Sequence, residues 1–358
     1  MRSIILLALL GLVQASPDAA FVCPASVAHR IAAASPLAAQ RFTCPRRTSP
    51  ILGSSLSGKQ AVPGGSQLRR RSSGARMSAT EAELSAVLST AIKAGRAAGA
   101  LMKEKLGAEV IKTKVNSKDL LTEIDPMCEK IIRDIVLAEH PAHSFLGEES
   151  VAAGAEASGR AMDLVKDSEW LWVVDPIDGT TNFVSGMPLS AVSIGVARRG
   201  ELVVGVIVDP FRDEVFSAAR GQGAFMNGKA ISVGEEDDIG DAVIAAGSPP
   251  SLASIKPSLR GVTALMPKCR TIRMIGSAAL HFAWIANGRL TAYWEPDLNS
   301  WDSAAGAVLV QEAGGRITSL LGEPFTLTTR PTLASNGKTH DAILSVLEEA
   351  GVYGLDPE

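Results

Sequence analysis

Residues 170–187 have the sequence Trp-Leu-Trp-Val-Val-Asp-Pro-Ile-Asp-Gly-Thr-Thr-Asn-Phe-Val-Ser-Gly-Met. The first five are all apolar, which predicts a short strand buried on both faces. Asp175 and Asp178 follow directly, with Pro176 restricting the backbone between them and Gly179 permitting a turn. The pattern therefore places two carboxylates close together where a buried strand ends.

These two neighbouring carboxylates repel each other, and a divalent cation relieves that repulsion. Mg²⁺ prefers oxygen ligands and is commonly held by a few carboxylates together with a substrate phosphate. We therefore interpret the turn as part of a Mg²⁺ site that also includes the carbonyl of Ile177. Gly179, Thr180 and Thr181 offer amide and hydroxyl donors to a phosphate. The alternative is an ordinary surface turn after a core strand.

The composition bounds the classes of protein to consider. The chain has 358 residues, enough to bury a large core in one large domain or two. Its 35 Lys and Arg are balanced by 38 Asp and Glu, so there is no basic stripe of the kind that nucleic-acid binding needs. Beyond the N-terminal region, Cys128 and Cys269 are too distant in sequence to indicate a disulfide framework or a zinc site.

The N-terminal 77 residues are predicted to be a targeting segment. Residues 1–20 have the charged start and short apolar core of a secretory signal, too short to span a bilayer. Between Ala19 and Thr80 there is no Asp or Glu but nine Lys or Arg, so residues 21–77 are expected to be a disordered transit peptide. This two-part arrangement resembles the presequences of algae whose plastids lie inside extra membranes. It predicts plastid import, with secretion as the alternative.

Residues 78–358 are predicted to form the catalytic domain, of mixed α/β class. In residues 78–240, helices and a meander of antiparallel strands predict an α+β layer. In residues 241–358, strands and helices alternate, which predicts a second, α/β layer. No membrane span is expected in this part of the chain.

Local signals place the first elements of that domain. Thr80 and Glu83 form a capping-box pattern, which predicts a helix running to about Gly107. Asp125 is the predicted cap of a second helix, with Pro126 in its first turn. Residues 151–167 are rich in Ala, Gly and charge, which favours a mobile loop.

Further acidic residues also follow predicted strands. Glu148 comes just after the strand 144–146, and its alternative interpretation is a solvated loop residue. Asp302 opens a helix after the strand 290–294, and its alternative is a plain helix cap. Residues 276–279 begin another helix with small side chains, which leaves room for a ligand to approach backbone amides.

Three separated motifs resemble those of the inositol monophosphatase family, a group of Mg²⁺-dependent, lithium-sensitive phosphatases. They are Gly147-Glu-Glu-Ser150, Asp175-Pro-Ile-Asp-Gly-Thr-Thr-Asn182 and Trp301-Asp-Ser-Ala-Ala-Gly306. The resemblance extends from about residue 82 to 350. It implies a layered α-β-α-β-α sandwich, a homodimer and a phosphomonoesterase that uses two or three Mg²⁺ ions.

The resemblance also implies which residues bind the metal ions. The set consists of Glu148, Asp175, Ile177 through its carbonyl, Asp178 and Asp302. The first three would hold the ion that activates water, and the three aspartates would hold the ion near the leaving group. Two such ions suit an in-line displacement at phosphorus.

Other site residues follow from the same resemblance. Thr180 would orient the attacking water with Asp125 as its partner, so Asp125, Thr180 and Glu148 form the implied catalytic set. Lys114 and Asp119 match a supporting pair, for which Lys118 is a nearby competitor. Residues Gly179, Thr180 and Thr181 would contact phosphate. Glu295 and Ala278 would contact a sugar or cyclitol ring.

The implied substrate is myo-inositol 1-phosphate. Ser185 and Asn299 stand where members of the family often have His, but neither is an implied metal ligand, so activity is expected to survive. The alternatives are a phosphatase for another small ester, such as L-galactose 1-phosphate or histidinol phosphate, and a non-catalytic plastid regulator that keeps the fold.

Overall fold

The computed structural model describes residues 79–113, 120–247 and 251–356. These residues lie in one compact unit, Ser72–Glu358. The predicted presequence, residues 1–77, lies outside the described residues, and so do Lys114 and Asp119. In the described part of the chain, no helix combines the length and apolar character that a membrane crossing requires.

The described residues contain eight α-helices and fourteen strands. The helices are α1 Glu81–Glu104, α2 Ile124–Glu139, α3 Ala155–Val165, α4 Thr180–Val184, α5 Leu252–Leu265, α6 Ala278–Ala286, α7 Ser300–Glu312 and α8 His340–Glu349. The strands are β1 Val110–Thr113, β2 Leu120–Thr122, β3 Ser144–Gly147, β4 Leu171–Asp178, β5 Ala191–Arg198, β6 Glu201–Asp209, β7 Glu214–Ala219, β8 Ala224–Met226, β9 Lys229–Ile231, β10 Val243–Ala246, β11 Thr271–Arg273, β12 Ala292–Glu295, β13 Arg316–Ser319 and β14 Thr332–Ser335.

The larger sheet has seven strands in the order β3-β4-β5-β6-β7-β8-β9. β3 is parallel to β4, and every later pair is antiparallel, as the predicted meander requires. The hairpin between β8 and β9 turns at Asn227 and Gly228, both with positive φ, which is why Asn-Gly predicts this turn. Every residue of β4 is buried, so the central apolar stretch forms the predicted internal strand.

The smaller sheet has five strands in the order β11-β10-β12-β14-β13. β10 is parallel to both β11 and β12, while β14 is antiparallel to β12 and β13. A short hairpin of β1 and β2 stands apart from both sheets. The two main sheets give the molecule its β layers.

The helices form three layers around these sheets. α1 and α2 cover one face of the larger sheet, and α6 and α7 lie between the two sheets. α5 and α8 pack together, and their apolar side chains cover the outer face of the smaller sheet. Eight of the nine residues of α6 are buried, as expected of a helix enclosed on both sides. The predicted α-β-α-β-α sandwich is thus confirmed.

Two glycines let α7 lie directly on the larger sheet. Gly195 of β5 and Gly205 of β6 are paired across the sheet. A Cβ on Gly195 would lie 2.5 Å from the Cβ of Ala304, and one on Gly205 would overlap the carbonyl oxygen of Ala305. The close approach matters for function because α7 carries Asp302 in its first turn.

The prediction that residues 151–167 form a mobile loop is wrong, because this segment contains helix α3. Met162 and Ser158 of this helix are buried. The hydroxyl of Ser158 donates to Oδ1 of Asn299 at 2.8 Å, next to the start of α7. Contacts with distant residues thus stabilise a helix whose local composition is typical of a loop.

Two predicted helix caps are also corrected. α2 begins at Ile124 after Glu123, and Asp125 lies inside its first turn. α7 begins at Ser300, with Asn299 as its N-cap. Asp302 occupies the third helical position, where its carboxylate accepts the Asn299 amide at 2.7 Å. In both helices the acidic side chain comes from within the first turn and accepts an amide from a residue just before the helix.

Candidate active site

Three aspartates converge where β4 ends and α7 begins. Asp175 and Asp178 lie on the C-terminal half of β4, and Asp302 lies in the first turn of α7. One carboxylate oxygen from each lies within 4.8 Å of the others, an arrangement that can hold a metal ion. Asp175 and Asp178 are only 3% and 6% exposed, so the predicted alternative of a surface turn is wrong. The sandwich thus unites carboxylates separated by more than 120 positions in sequence.

Asp178 is bound to the start of α6. Its carboxylate accepts the hydroxyl of Ser277, the amide of Ala278 at 3.2 Å and the amide of Ala279 at 2.9 Å. These amides belong to the small residues that were predicted to face a ligand. In the structure they donate to Asp178 instead, so the start of α6 orients this carboxylate.

Burial and neighbouring charges raise the pKa of two aspartates at this site. Burial raises the pKa of Asp178 to about 6, with a smaller contribution from the charge of Glu148, although hydrogen bonds from Ser277 and two amides oppose the shift. The pKa of Asp302 is raised well above its usual range by desolvation, and then by Glu148 and Asp178. Negative charge is therefore unfavourable here without a cation, which is the electrostatic character of a metal site.

Glu148 approaches the cluster from the neighbouring strand. β3 ends at Gly147, which is paired with Val174 of β4, and a single turn of 3₁₀ helix, Glu148–Ser150, follows. Glu148 is partly buried, and its charge acts on both Asp178 and Asp302. It is therefore part of the acidic site and not a solvated loop residue.

Thr180 and Asp125 meet beside the cluster. The Thr180 hydroxyl lies 3.1 Å from the carbonyl oxygen of Ile177 and 3.4 Å from Oδ1 of Asp125. Asp125 is 1% exposed, and its Oδ2 accepts the amide of Thr122 at 3.0 Å and the Thr122 hydroxyl at 2.5 Å. Thr122 was not among the predicted residues, although a Thr three residues before an Asp near a helix start is a usable signal.

The turn between β4 and α4 depends on Gly179. This residue has a φ of 90°, and a Cβ here would lie 3.0 Å from the carbonyl oxygens of Gly276 and Leu189. The following helix leaves Thr181 exposed, while Ile177 is buried. A side chain at position 179 would therefore strain the turn that presents Thr180 and Thr181.

A further buried carboxylate, Glu295, lies at the end of β12. The hydroxyl of Tyr293, two residues earlier on the same face of the strand, donates to it. Burial raises the pKa of Glu295 to about 8, and the charge of Asp178 adds to the shift, so the two groups are neighbours. Ala278 is also buried, at the start of α6. Sequence reasoning missed Tyr293, for which the i, i+2 strand spacing was the available signal.

Comparison with known proteins relates this chain to one family. The profile of the Inositol monophosphatase family matches residues 83–351. Inositol monophosphatase 2 from Solanum lycopersicum is 40% identical over 65% of this chain and 86% of its own length. A relative from Pseudomonas aeruginosa named Nus factor SuhB is 36% identical, over 73% of this chain and 96% of its own length. A solved inositol monophosphatase from Anabaena superposes with a TM-score of 0.63 at 33% identity, covering 74% of this chain and 96% of that structure.

Proposed function

The chain belongs to the inositol monophosphatase family and is a phosphomonoesterase, and from that premise we propose that it hydrolyses myo-inositol 1-phosphate in a Mg²⁺-dependent reaction. The observation that carries the proposal is the convergence of Asp175, Asp178 and Asp302 within 4.8 Å. An all-oxygen donor set of this kind suits Mg²⁺ better than softer metals.

The described residues suggest how two or three Mg²⁺ ions would be held. Glu148, Asp175 and the carbonyl of Ile177 would hold one ion, and Asp175, Asp178 and Asp302 a second. When bound, Mg²⁺ supplies the Lewis acidity that activates water and neutralises charge on the phosphate and the leaving oxygen. The raised pKa values of Asp178 and Asp302 support this assignment, because a bound cation would offset the burial and the neighbouring negative charges that raise them.

The protein's own groups would position water and phosphate. The hydroxyl of Thr180 has its proton directed to Ile177 or Asp125, which leaves its oxygen lone pairs to accept a hydrogen bond from the attacking water and so to orient it. Thr122 holds Asp125 in place for this role. Gly179, Thr180 and Thr181 would contact the phosphate. Lys114 and Asp119 are proposed as a supporting pair on the family resemblance alone.

Glu295 and Ala278 are proposed to contact the substrate ring. Glu295 accepts the hydroxyl of Tyr293 through one carboxyl oxygen, and the other oxygen would accept hydrogen bonds from the hydroxyl groups of the ring. The names of the tomato and Anabaena relatives support inositol monophosphate as the substrate. L-galactose 1-phosphate and histidinol phosphate are the competing substrates, and a non-catalytic regulator is the competing role.

We expect purified protein to release phosphate from myo-inositol 1-phosphate only when Mg²⁺ is added. A panel with L-galactose 1-phosphate, histidinol phosphate and p-nitrophenyl phosphate, assayed by phosphate release, ranks the substrates. Glu295→Ala should lower kcat/KM for inositol 1-phosphate about 10-fold relative to p-nitrophenyl phosphate, because only a polyol hydrogen-bonds a carboxylate there. No phosphate release at any Mg²⁺ concentration would favour the regulator, and an equal loss on every ester would contradict the ring contact.

The stability of the protein is expected to respond to Mg²⁺ in a pH-dependent way. The pKa of Asp178 is about 6 in the fold, which is above its value in the unfolded chain. Without metal, protonated Asp178 therefore contributes to the stability of the fold below about pH 4, and this contribution is lost as the pH rises through 6. Mg²⁺ favours the ionised carboxylates. Adding Mg²⁺ to EDTA-treated protein should therefore raise the Tm more at pH 8 than at pH 5. Differential scanning fluorimetry measures both increases. An equal increase at both pH values would count against a metal at this cluster.

Two further properties are proposed from the sequence. The acid-free segment 21–77, preceded by the signal-like segment 1–20, supports import into a plastid. A reporter fused to residues 1–80 should accumulate in plastids of an algal host, whereas fluorescence confined to the cytosol would exclude both import and secretion.

The family resemblance supports a homodimer, which sedimentation equilibrium would test.

A further inference from the structure

A buried glutamate on α2 contacts the turn that carries Glu148. Glu129 is 5% exposed, and its Oε2 accepts the amide of Glu149 at 2.8 Å. Its Oε1 accepts the hydroxyl of Ser150 and an Nη2 proton of Arg133, the latter at 3.0 Å. Both carboxylate oxygens are thus used to fix the two residues that follow Glu148.

The residue that precedes Glu148 is fixed against the same carboxylate. A Cβ on Gly147 would overlap both the Cδ and an oxygen of Glu129, so the strand end lies in contact with this side chain. Gly147 is also paired with Val174 of β4, next to Asp175. The backbone before Glu148 is therefore held by the sheet, and the two residues after it are held by hydrogen bonds to Glu129.

Arg133 strengthens this contact from the next turn of α2. Its guanidinium donates to Glu129 and to the hydroxyl of Ser150, and it lies 4.8 Å from the ring centroid of Phe145 on β3. Burying a carboxylate is costly unless it is paired and hydrogen-bonded, and here every partner except Arg133 belongs to the turn of Glu148. The arrangement couples α2 to the position of one acidic side chain.

We propose that Glu129 is a positioning residue that orients Glu148 for Mg²⁺ binding. The proposal rests on the proposed function, in which Glu148 is a metal ligand. It acts by holding the backbone on both sides of Glu148. Partners that orient metal ligands in this way typically contribute 10- to 100-fold to metal affinity.

The test is Mg²⁺ binding to the full-length protein by isothermal titration calorimetry. Glutamine at position 129 keeps the shape of glutamate but has a single acceptor oxygen, so its NH₂ group must face the Glu149 amide or the Arg133 guanidinium. Glu129→Gln should weaken Mg²⁺ binding about 10- to 100-fold and raise the Mg²⁺ concentration for half-maximal activity in parallel. The control is Asp134→Asn on the same helix, whose exposed pair with Lys130 lies away from the turn and should leave Mg²⁺ affinity unchanged.

Two further variants separate the possible outcomes. Ser150→Ala removes one exposed hydroxyl that donates to Glu129, and several-fold weaker Mg²⁺ binding is expected even if Glu129→Gln fails to fold. Wild-type Mg²⁺ affinity in Ser150→Ala and in any folded Glu129→Gln would overturn the positioning role. Glu148→Gln tests the underlying assignment. If Glu148→Gln loses Mg²⁺ affinity while Glu129→Gln does not, only the positioning role of Glu129 fails. If Glu148→Gln binds Mg²⁺ like wild type, the assignment of Glu148 as a metal ligand fails.

Discussion

Asp178→Asn is expected to reduce turnover at least about 100-fold, since loss of even an outer partner of a metal ligand typically costs about 10- to 100-fold. The substitution removes one negative charge from a cluster whose oxygens lie within 4.8 Å of one another. Without that charge, Mg²⁺ binding near the leaving group should fail. Steady-state phosphate release across a Mg²⁺ titration measures the effect.

The fold of this variant needs a separate check, because Asp178 is buried and bonded to the start of α6. Asparagine keeps one acceptor oxygen for Ser277 and Ala279 and gives up the longer bond to Ala278. Its circular dichroism spectrum and its Tm in EDTA should therefore stay close to wild type. Asp213→Asn, on an exposed turn with a φ of 53° that Asn tolerates, is the matched control. Full activity in Asp178→Asn would refute the metal assignment.

Gly205→Ala is expected to destabilise the protein by about 1–3 kcal/mol, the usual cost of an overpacked core. The new methyl group would overlap the carbonyl oxygen of Ala305 and lie 3.0 Å from the Cβ of Val308, so α7 must move away from the sheet. Because α7 carries Asp302, turnover should fall as well. Urea denaturation measures the loss of stability.

Gly159→Ala is the control for this effect. Gly159 lies in α3, is exposed and has no atom within 4 Å of an added Cβ. Alanine is favoured over glycine inside a helix by about 0.5–1 kcal/mol, so this variant should be as stable as wild type or more so. A Gly205→Ala protein with wild-type stability would show that α7 does not depend on the close approach at β6.

Much of the fold was predictable because local patterns agreed with tertiary structure. The capping box at Thr80 and Glu83 begins α1 as expected, and the turn at Asn227 and Gly228 joins two strands. The apolar run before Asp175 became a strand buried along its whole length. In each case the residues that specify the element are neighbours in sequence, so periodicity and turn chemistry were sufficient.

Two of the errors occur where distant residues determine the outcome. The segment 151–167 has the composition of a loop, yet Ser158 bonds to Asn299, about 140 positions away, and α3 forms. The small residues that begin α6 were predicted to face a ligand, but their amides bind Asp178 across 100 and 101 positions. Such contacts leave no local pattern in either partner.

From the sequence alone came the family, most of the secondary structure and the three aspartates that the fold brings together. Folding was needed to show how the acidic residues are held, with Ser277 on Asp178 and Glu129 beside the turn of Glu148. The difference arises because a single residue type is enough to supply a carboxylate. Its orientation and its pKa depend on burial and on donors that only folding brings within hydrogen-bonding distance.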